Sequence, residues 1–233
     1  MPAQTFTTLY SFCPLNGCID GANPQAALVQ ATNGDFYGTT FYGGANNGGG
    51  ANNGTVFKVT PSGTLTTLHS FTNTDGAQPY AGLVQATNGD LYGTTLSGGV
   101  HLCSYAIDVQ PLVNGCGTVF KITQGGKLTT LYNFCSQKNC ADGANPVAGL
   151  VQATNGDLYG TTVLGGDNAE GTVFKITPGG NLTTLYSFCT QGGCADGAEP
   201  VAGLVQAVNG TSTEQPSAAG PTTRAMATTV RWG

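Results

Sequence analysis

The sequence is short of charge. Only 8% of its 233 residues are Asp, Glu, Lys or Arg, against roughly 25% in an average soluble domain. The seven basic residues are scattered and the net charge is −5. Nothing here can neutralise a run of phosphates, which excludes a nucleic-acid partner and argues against an anionic membrane surface. No apolar run is long enough to span a bilayer. GxSxG and HExxH are both missing, and no glycine-rich string has the strand-to-helix setting that phosphate binding needs. A disordered chain would carry more charge and less Val, Leu and Phe, and 39% hydrophobic residues suffice for a core.

What is abundant is glycine, 37 residues, and repetition. The string GLVQATNGDLYGTT recurs with small changes at Ala27–Thr40, Gly82–Thr95 and Gly149–Thr162, and a fourth copy begins at Gly203 and breaks off after Gly210. Between copies stand GTVFK, at Gly54, Gly117 and Gly171, and LTTLYSF-like strings at Phe6–Phe12, Leu65–Phe71, Leu128–Phe134 and Leu182–Phe188. The LVQA strings lie 54 to 67 residues apart. A period of this length with several short strands per unit predicts an all-β, propeller-like array of four-stranded antiparallel blades. The units lie near residues 26–71, 81–134 and 148–188, with a partial unit at 202–210.

Each unit reads as four strands, for example Leu150–Ala153, Leu158–Thr162, Thr172–Thr177 and Leu182–Phe188. An extra fourth strand precedes the first unit and an extra first strand follows the last, so an open arc is expected. Asn33-Gly34, Asn88-Gly89 and Asn155-Gly156 make the first hairpin turn, with positive φ expected at both positions. In an antiparallel meander, alternate turns share an edge. The loops after strands two and four therefore share one face. They are the long, variable ones: Phe41–Asn53, Ser97–Cys116, Val163–Glu170, and the segments joining units. Variable loops gathered on one face of a rigid scaffold are where binding is expected.

Cys13 and Cys18, Cys135 and Cys140, and Cys189 and Cys194 share one spacing and one place in the repeat. In Phe71–Pro79, the counterpart of Phe134–Pro146, both cysteines vanish together with the intervening loop. Residues lost as a unit are expected to be bonded to each other. The remaining pair, Cys103 and Cys116, brackets an insertion that only one unit carries. Four local disulfides are expected, hence an oxidising compartment, each short loop contributing about 2 kcal/mol. Zinc held by paired loops would need two loops to meet, and no histidine partners them.

Whole strings of GLVQATNGDLYGTT…GTVFKITPGGNLTTLYSF resemble the GloVer (Gloeo/Verruco) tandem repeat of exported bacterial proteins, over Phe6 to about Gly210. The resemblance implies export, often with a surface-anchoring tail, and a propeller-like fold. It carries over no catalytic residues. The chain departs from the pattern in three ways: it opens at Met1–Thr5 without a signal peptide, it carries the Ser97–Cys116 insertion, and it loses the repeat after Gly210. It is accordingly read as a fragment of a longer protein.

Residues 211–233 read as a non-repeat tail. Codons GGG GAC TTC TAC GGA ACA ACC would encode the expected continuation of the repeat. Deleting one G gives GGG ACT TCT ACG GAA CAA CC, which encodes the observed Gly210–Pro216. A frameshifted fourth repeat is the expectation, an ordinary low-complexity tail the alternative. Val208–Gly210 still obey the repeat. Beyond them, strands two and three should not form, leaving Leu204–Ala207 without a partner.

Catalysis needs unique, converging groups, whereas most charges here are repeated. Lys58, Lys121 and Lys175 are one lysine of GTVFK; Asp35, Asp90 and Asp157 follow the Asn-Gly turn; Asp20, Asp75, Asp142 and Asp196 sit in a DGAxP turn. These read as turn residues and no cofactor is expected, calcium being the alternative for the repeated carboxylates. His69 stands where other copies have Tyr. On the variable face, Tyr42, Asn46, Asn47, His101, Tyr105, Asp108 and Asp167 are the candidate binding residues, aromatic and amide groups that stack on and hydrogen-bond a sugar. The expected function is a non-catalytic extracellular recognition or scaffold module for a glycan or surface protein. The alternative is a glycan-active hydrolase or lyase on a propeller scaffold; a hydrolase requires paired carboxylates within reach, and His101 with Asp108 on one loop is the other arrangement suited to acid–base work.

Overall fold

The structure, a computed structural model, describes residues 5–14, 17–45, 53–103, 115–206, 212–214 and 229–230. Three four-stranded antiparallel blades follow one another. Blade one is β1 (Val29–Gln30), β2 (Phe36–Thr40), β3 (Thr55–Val59) and β4 (Leu65–Ser70). Blade two is β5 (Val84–Gln85), β6 (Leu91–Thr95), β7 (Thr118–Ile122) and β8 (Leu128–Asn133). Blade three is β9 (Val151–Gln152), β10 (Leu158–Thr162), β11 (Thr172–Ile176) and β12 (Leu182–Ser187). Strands pair in chain order in every blade, and each carries a bulge at the same place between strands three and four. The expected all-β, propeller-like array is the observed one.

Strands two and three are buried on both faces and lack clean alternation for that reason. Inside each blade a third-strand phenylalanine reaches over a second-strand glycine with the tip of its ring. A Cβ on Gly93 would come 2.7 Å from Phe120 Cζ and 2.8 Å from Leu83 Cδ2, so no larger residue fits. Between blades, the phenylalanine that ends one LTTLYSF string meets the third-strand ring of the next unit edge-on. Phe71 lies 5.3 Å from Phe120, Phe134 5.3 Å from Phe174, and Phe12 4.9 Å from Phe57. Such pairs add about 0.5–1.5 kcal/mol beyond area burial.

First strands of successive units adjoin: the Gln85 side chain accepts from the Thr32 N–H at 2.9 Å, and Gln152 from the Thr87 N–H at 2.9 Å. This is the inner edge of the arc. Buried threonine hydroxyls are paired across strands two and three, Thr95 with Thr118 at 2.9 Å and Thr162 with Thr172 at 2.8 Å.

Three details differ from expectation. Residues 6–12 occupy the place of a fourth strand yet form none and pair with no other strand among the described residues. In the Asn-Gly turns only glycine turns left-handed. Asn33 instead uses its side chain, accepting from the Asp35 N–H at 3.0 Å and donating to the Tyr37 hydroxyl at 2.9 Å. The third difference is in the tail. β13 (Leu204–Gln206) does have a partner: it pairs with β14 (Ser212–Glu214), which pairs with β15 (Thr229–Val230). Val205 opposes Thr213 in the register in which Val29 opposes Tyr37. Backbone groups make the ladder, so this register persists although the repeat's side chains are gone. The rest of the tail, with the disorder expected there, lies outside the described residues.

Candidate functional site: grooves between the blades

The loop after strand two and the segment joining units meet on one face in every copy. The Gly44 N–H donates to the Cys18 carbonyl, Gly99 to Asn73 and Gly166 to Cys140, at 2.7 to 3.0 Å. The end of strand four holds the same loop from the other side. Ser70 Oγ accepts from the Ala45 N–H at 3.0 Å, Asn133 Oδ1 from Val100 at 3.1 Å, and Ser187 Oγ from Asp167 at 3.3 Å. Three of the expected disulfides, Cys13–Cys18, Cys135–Cys140 and Cys189–Cys194, tie this face together.

The repeated DGAxP aspartates organise the joining segments. Asp142 accepts from the Tyr132 hydroxyl at 2.9 Å and from the Ser136 and Gln137 N–H groups. Asp196 does the same with Tyr186, Thr190 and Gln191. Their donors are oriented protein groups, which is the turn role. His69 keeps the pattern where tyrosine is replaced, its Nε2 lying 2.9 Å from Asp75 Oδ2. At Asp20 the partners are Tyr10 and the Cys13 N–H. Pro14 has no N–H to offer in the place of Ser136, and the Cys13 N–H stands in for it on Oδ2; Oδ1, whose counterpart in Asp142 accepts from Gln137, is buried without a partner among the described residues.

These contacts shift ionisation. Burial works against the charge of Asp75, but hydrogen bonds from His69 and the Thr72 N–H outweigh it and hold the carboxyl below its ordinary range. The Tyr186 hydroxyl, with the Thr190 and Gln191 N–H groups, holds Asp196 lower still against its desolvation. Tyr132 is pushed up to about 12, first by burial and then by the Asp142 carboxylate. The two sets act at opposite ends of the pH scale. The lowered carboxylates contribute stability that is complete above the unfolded value near pH 4 and is lost as pH falls through their folded values. Tyr132 contributes stability present below about pH 10 and lost as pH rises toward 12. Thermal unfolding followed by circular dichroism should give a plateau between pH 5 and 8 with a fall below 4. Asp196→Asn should flatten the acid fall, and an unchanged slope would contradict this assignment.

Beside the anchored loops, grooves run along the outer strands. One of ≈ 600 Å³ lies beside β4, lined by Tyr10, Ile19, Asp20, Ala45, Leu65, Thr67, Leu68, His69 and Ser70. Its counterpart of ≈ 490 Å³ lies between the segment after β8 and β12, lined by Gln137, Ala141, Asp167 and Leu182–Ser187. Each holds one carboxylate among these lining residues, Asp20 in one and Asp167 in the other. The lining is otherwise hydroxyl, amide, imidazole, aromatic and aliphatic.

Of the residues singled out in the sequence, Asp167 lines a groove. Tyr42 is not among the lining residues of either groove: its backbone bridges to Ala22 and its ring meets Phe41 at 4.6 Å. His101 is half-buried on the insertion. Asn46, Asn47, Tyr105 and Asp108 lie outside the described residues. Sequence reasoning missed the fourth strand as a groove wall. Its signal was the Thr-Thr pair inside an apolar string; in the structure β12 has no fully buried residue. The fourth expected link, Cys103–Cys116, is not closed: both are thiols. Cys103 lies against Cys135 as well, at 4.0 Å between sulfurs.

No helix of the described residues is long and apolar enough to cross a membrane. A comparison with curated proteins found no match. Among solved structures, the chain is similar to one described as an oxidoreductase (glucose dehydrogenase) from Thermus thermophilus. The identity is 13% and the TM-score 0.47, over 83% of this chain and 58% of that one. The chain thus spans less than two thirds of that protein's length, and a likeness this distant assigns no chemistry. The family model for the Gloeobacter/Verrucomicrobia repeat matches residues 1–220. With the strings recurring in each blade, this places the chain in the Gloeobacter/Verrucomicrobia repeat family.

Proposed function

We propose that the chain is a non-catalytic extracellular recognition module that takes a neutral glycan in the grooves between its blades. The observation that carries the reading is the groove lining. Hydroxyls and amides such as Thr183, Ser187 and Gln137 stand beside the Tyr186 ring, and sugars present hydroxyls to bond and apolar ring faces to stack on. A single carboxylate among each groove's lining residues favours binding over hydrolysis, which uses a pair. Three disulfides suit an oxidising, extracellular setting. They also stiffen the loop face, which lowers the cost of ordering on binding.

A glycan array probed with the chain tests this. A hit should weaken about tenfold in the double variant Gln137→Ala/Thr183→Ala, which removes two hydrogen bonds worth about 0.5–1.5 kcal/mol each. Binding that the double variant leaves intact, or an array with no hits, overturns the reading.

A further inference from the structure

The insertion in blade two builds a sulfur cluster that the other blades lack. Cys116 occupies the place of Asn53 and Glu170, one residue before the repeat's glycine. Its backbone is used as theirs is: the Cys116 carbonyl accepts from the Asn145 N–H at 2.7 Å, as the Asn53 carbonyl does from Gln78 and the Glu170 carbonyl from Glu199. Only the thiol is new, and it is fully buried. Cys103, at the start of the insertion, lies close to it. The sulfurs of Cys103, Cys116 and Cys135 all lie within 4.8 Å of one another, while Cys135 is bonded to Cys140. Asn145 Oδ1 accepts from Cys103 Sγ at 3.5 Å and fixes its position, itself held by an Nδ2 hydrogen bond to the Leu96 carbonyl at 2.9 Å.

We propose that this cluster is a thiol–disulfide exchange site in which Cys103 attacks the Cys135–Cys140 disulfide. The Cys103 thiolate adds to Cys135 Sγ, the Cys103–Cys135 bond forms, the Cys135–Cys140 bond breaks, and Cys140 leaves as a thiolate that takes up a proton. One disulfide replaces another, so no outside oxidant or reductant is consumed. The attacking sulfur already stands 4.0 Å from the one attacked. Of the two thiols, Cys103 is the half-buried one that stands against Cys135, and Cys116 is the fully buried one. Cys116 keeps its proton because its hydrogen bond to Cys103, burial and the nearby Asp142 charge all raise its pKa. Exchange moves the tether from within residues 135–140 to the insertion, so the loop next to the Gln137–Asp167 groove is released or locked by pairing.

Tryptic cleavage reads the pairing directly. Cleavage at Lys138 separates Cys135 from Cys140, and residues 59–121 carry both Cys103 and Cys116. Protein incubated without oxidant between pH 6 and 8.5, acid-quenched and digested unreduced should show a 59–121/128–138 cross-link beside the 128–138/139–175 one. Its initial rate should rise about tenfold per pH unit below the thiol pKa. Cys103→Ser should abolish the new cross-link and Cys116→Ser should leave it, with circular dichroism confirming that both variants keep the fold. Finding only the 128–138/139–175 cross-link at every pH overturns the proposal. So does a cross-link lost in Cys116→Ser but kept in Cys103→Ser, or a quantitative Cys103–Cys116 disulfide, which leaves no attacking thiol.

Discussion

Replacing Gly117 by alanine is expected to abolish cooperative folding. Gly117 sits at the start of β7 with φ +89°, and a Cβ there would stand 2.3 Å from the Thr95 carbonyl oxygen and 2.8 Å from Pro146 Cδ. Neither neighbour can yield: one is the backbone of β6, and the other is the proline that docks the joining segment on the blade. The expected loss exceeds about 4 kcal/mol, a large part of the stability of a domain this size. Gly89 is the control. Its φ is +86°, but nothing lies within 4 Å of its Cβ position, so Gly89→Ala should cost only the left-handed backbone term, about 1–2 kcal/mol. Urea titrations of the two variants separate steric from conformational cost, and equal losses would contradict this packing.

The second large effect is expected at Phe120. Its ring is fully buried, lies on Gly93, and bridges blades one and two through Phe71. Phe120→Ala should cost about 3–5 kcal/mol. Phe57 holds the equivalent place in blade one, but the ring facing it, Phe12, belongs to residues 6–12, which form no ladder and of which Phe6 is 92% exposed. Phe57→Ala should therefore be the milder change. A larger loss at Phe57 than at Phe120 would show that residues 6–12 are held more firmly than their pairing allows.

Periodicity made the blades legible. Repeated strings place equivalent residues in equivalent surroundings, so β10 falls on Leu158–Thr162 as the sequence predicts. The variable face followed from strand count alone, and three disulfides followed from the paired loss at Phe71–Pro79. What remained hidden depends on contacts between units. The groove wall along β12 arises only when the next blade's fourth strand is placed beside Gln137 and Ala141. The sequence showed His69 only as a replacement for tyrosine, because its partner, Asp75, is fixed by the fold of the joining segment. The Cys103–Cys135 approach joins residues 32 apart through an insertion with no repeat counterpart. The β13–β14 pairing escaped notice because backbone hydrogen bonds carry it and side-chain pattern does not.

The central claim is that ligand is held in the grooves along the outer strands. The most direct measurement is amide hydrogen exchange with and without a glycan selected on the array. Added protection is expected at residues 182–187 and 137–141, with the Asn-Gly turns at Gly34, Gly89 and Gly156 unchanged. Protection confined to those turns, or bound glycan with no protection along the outer strands, would contradict the claim.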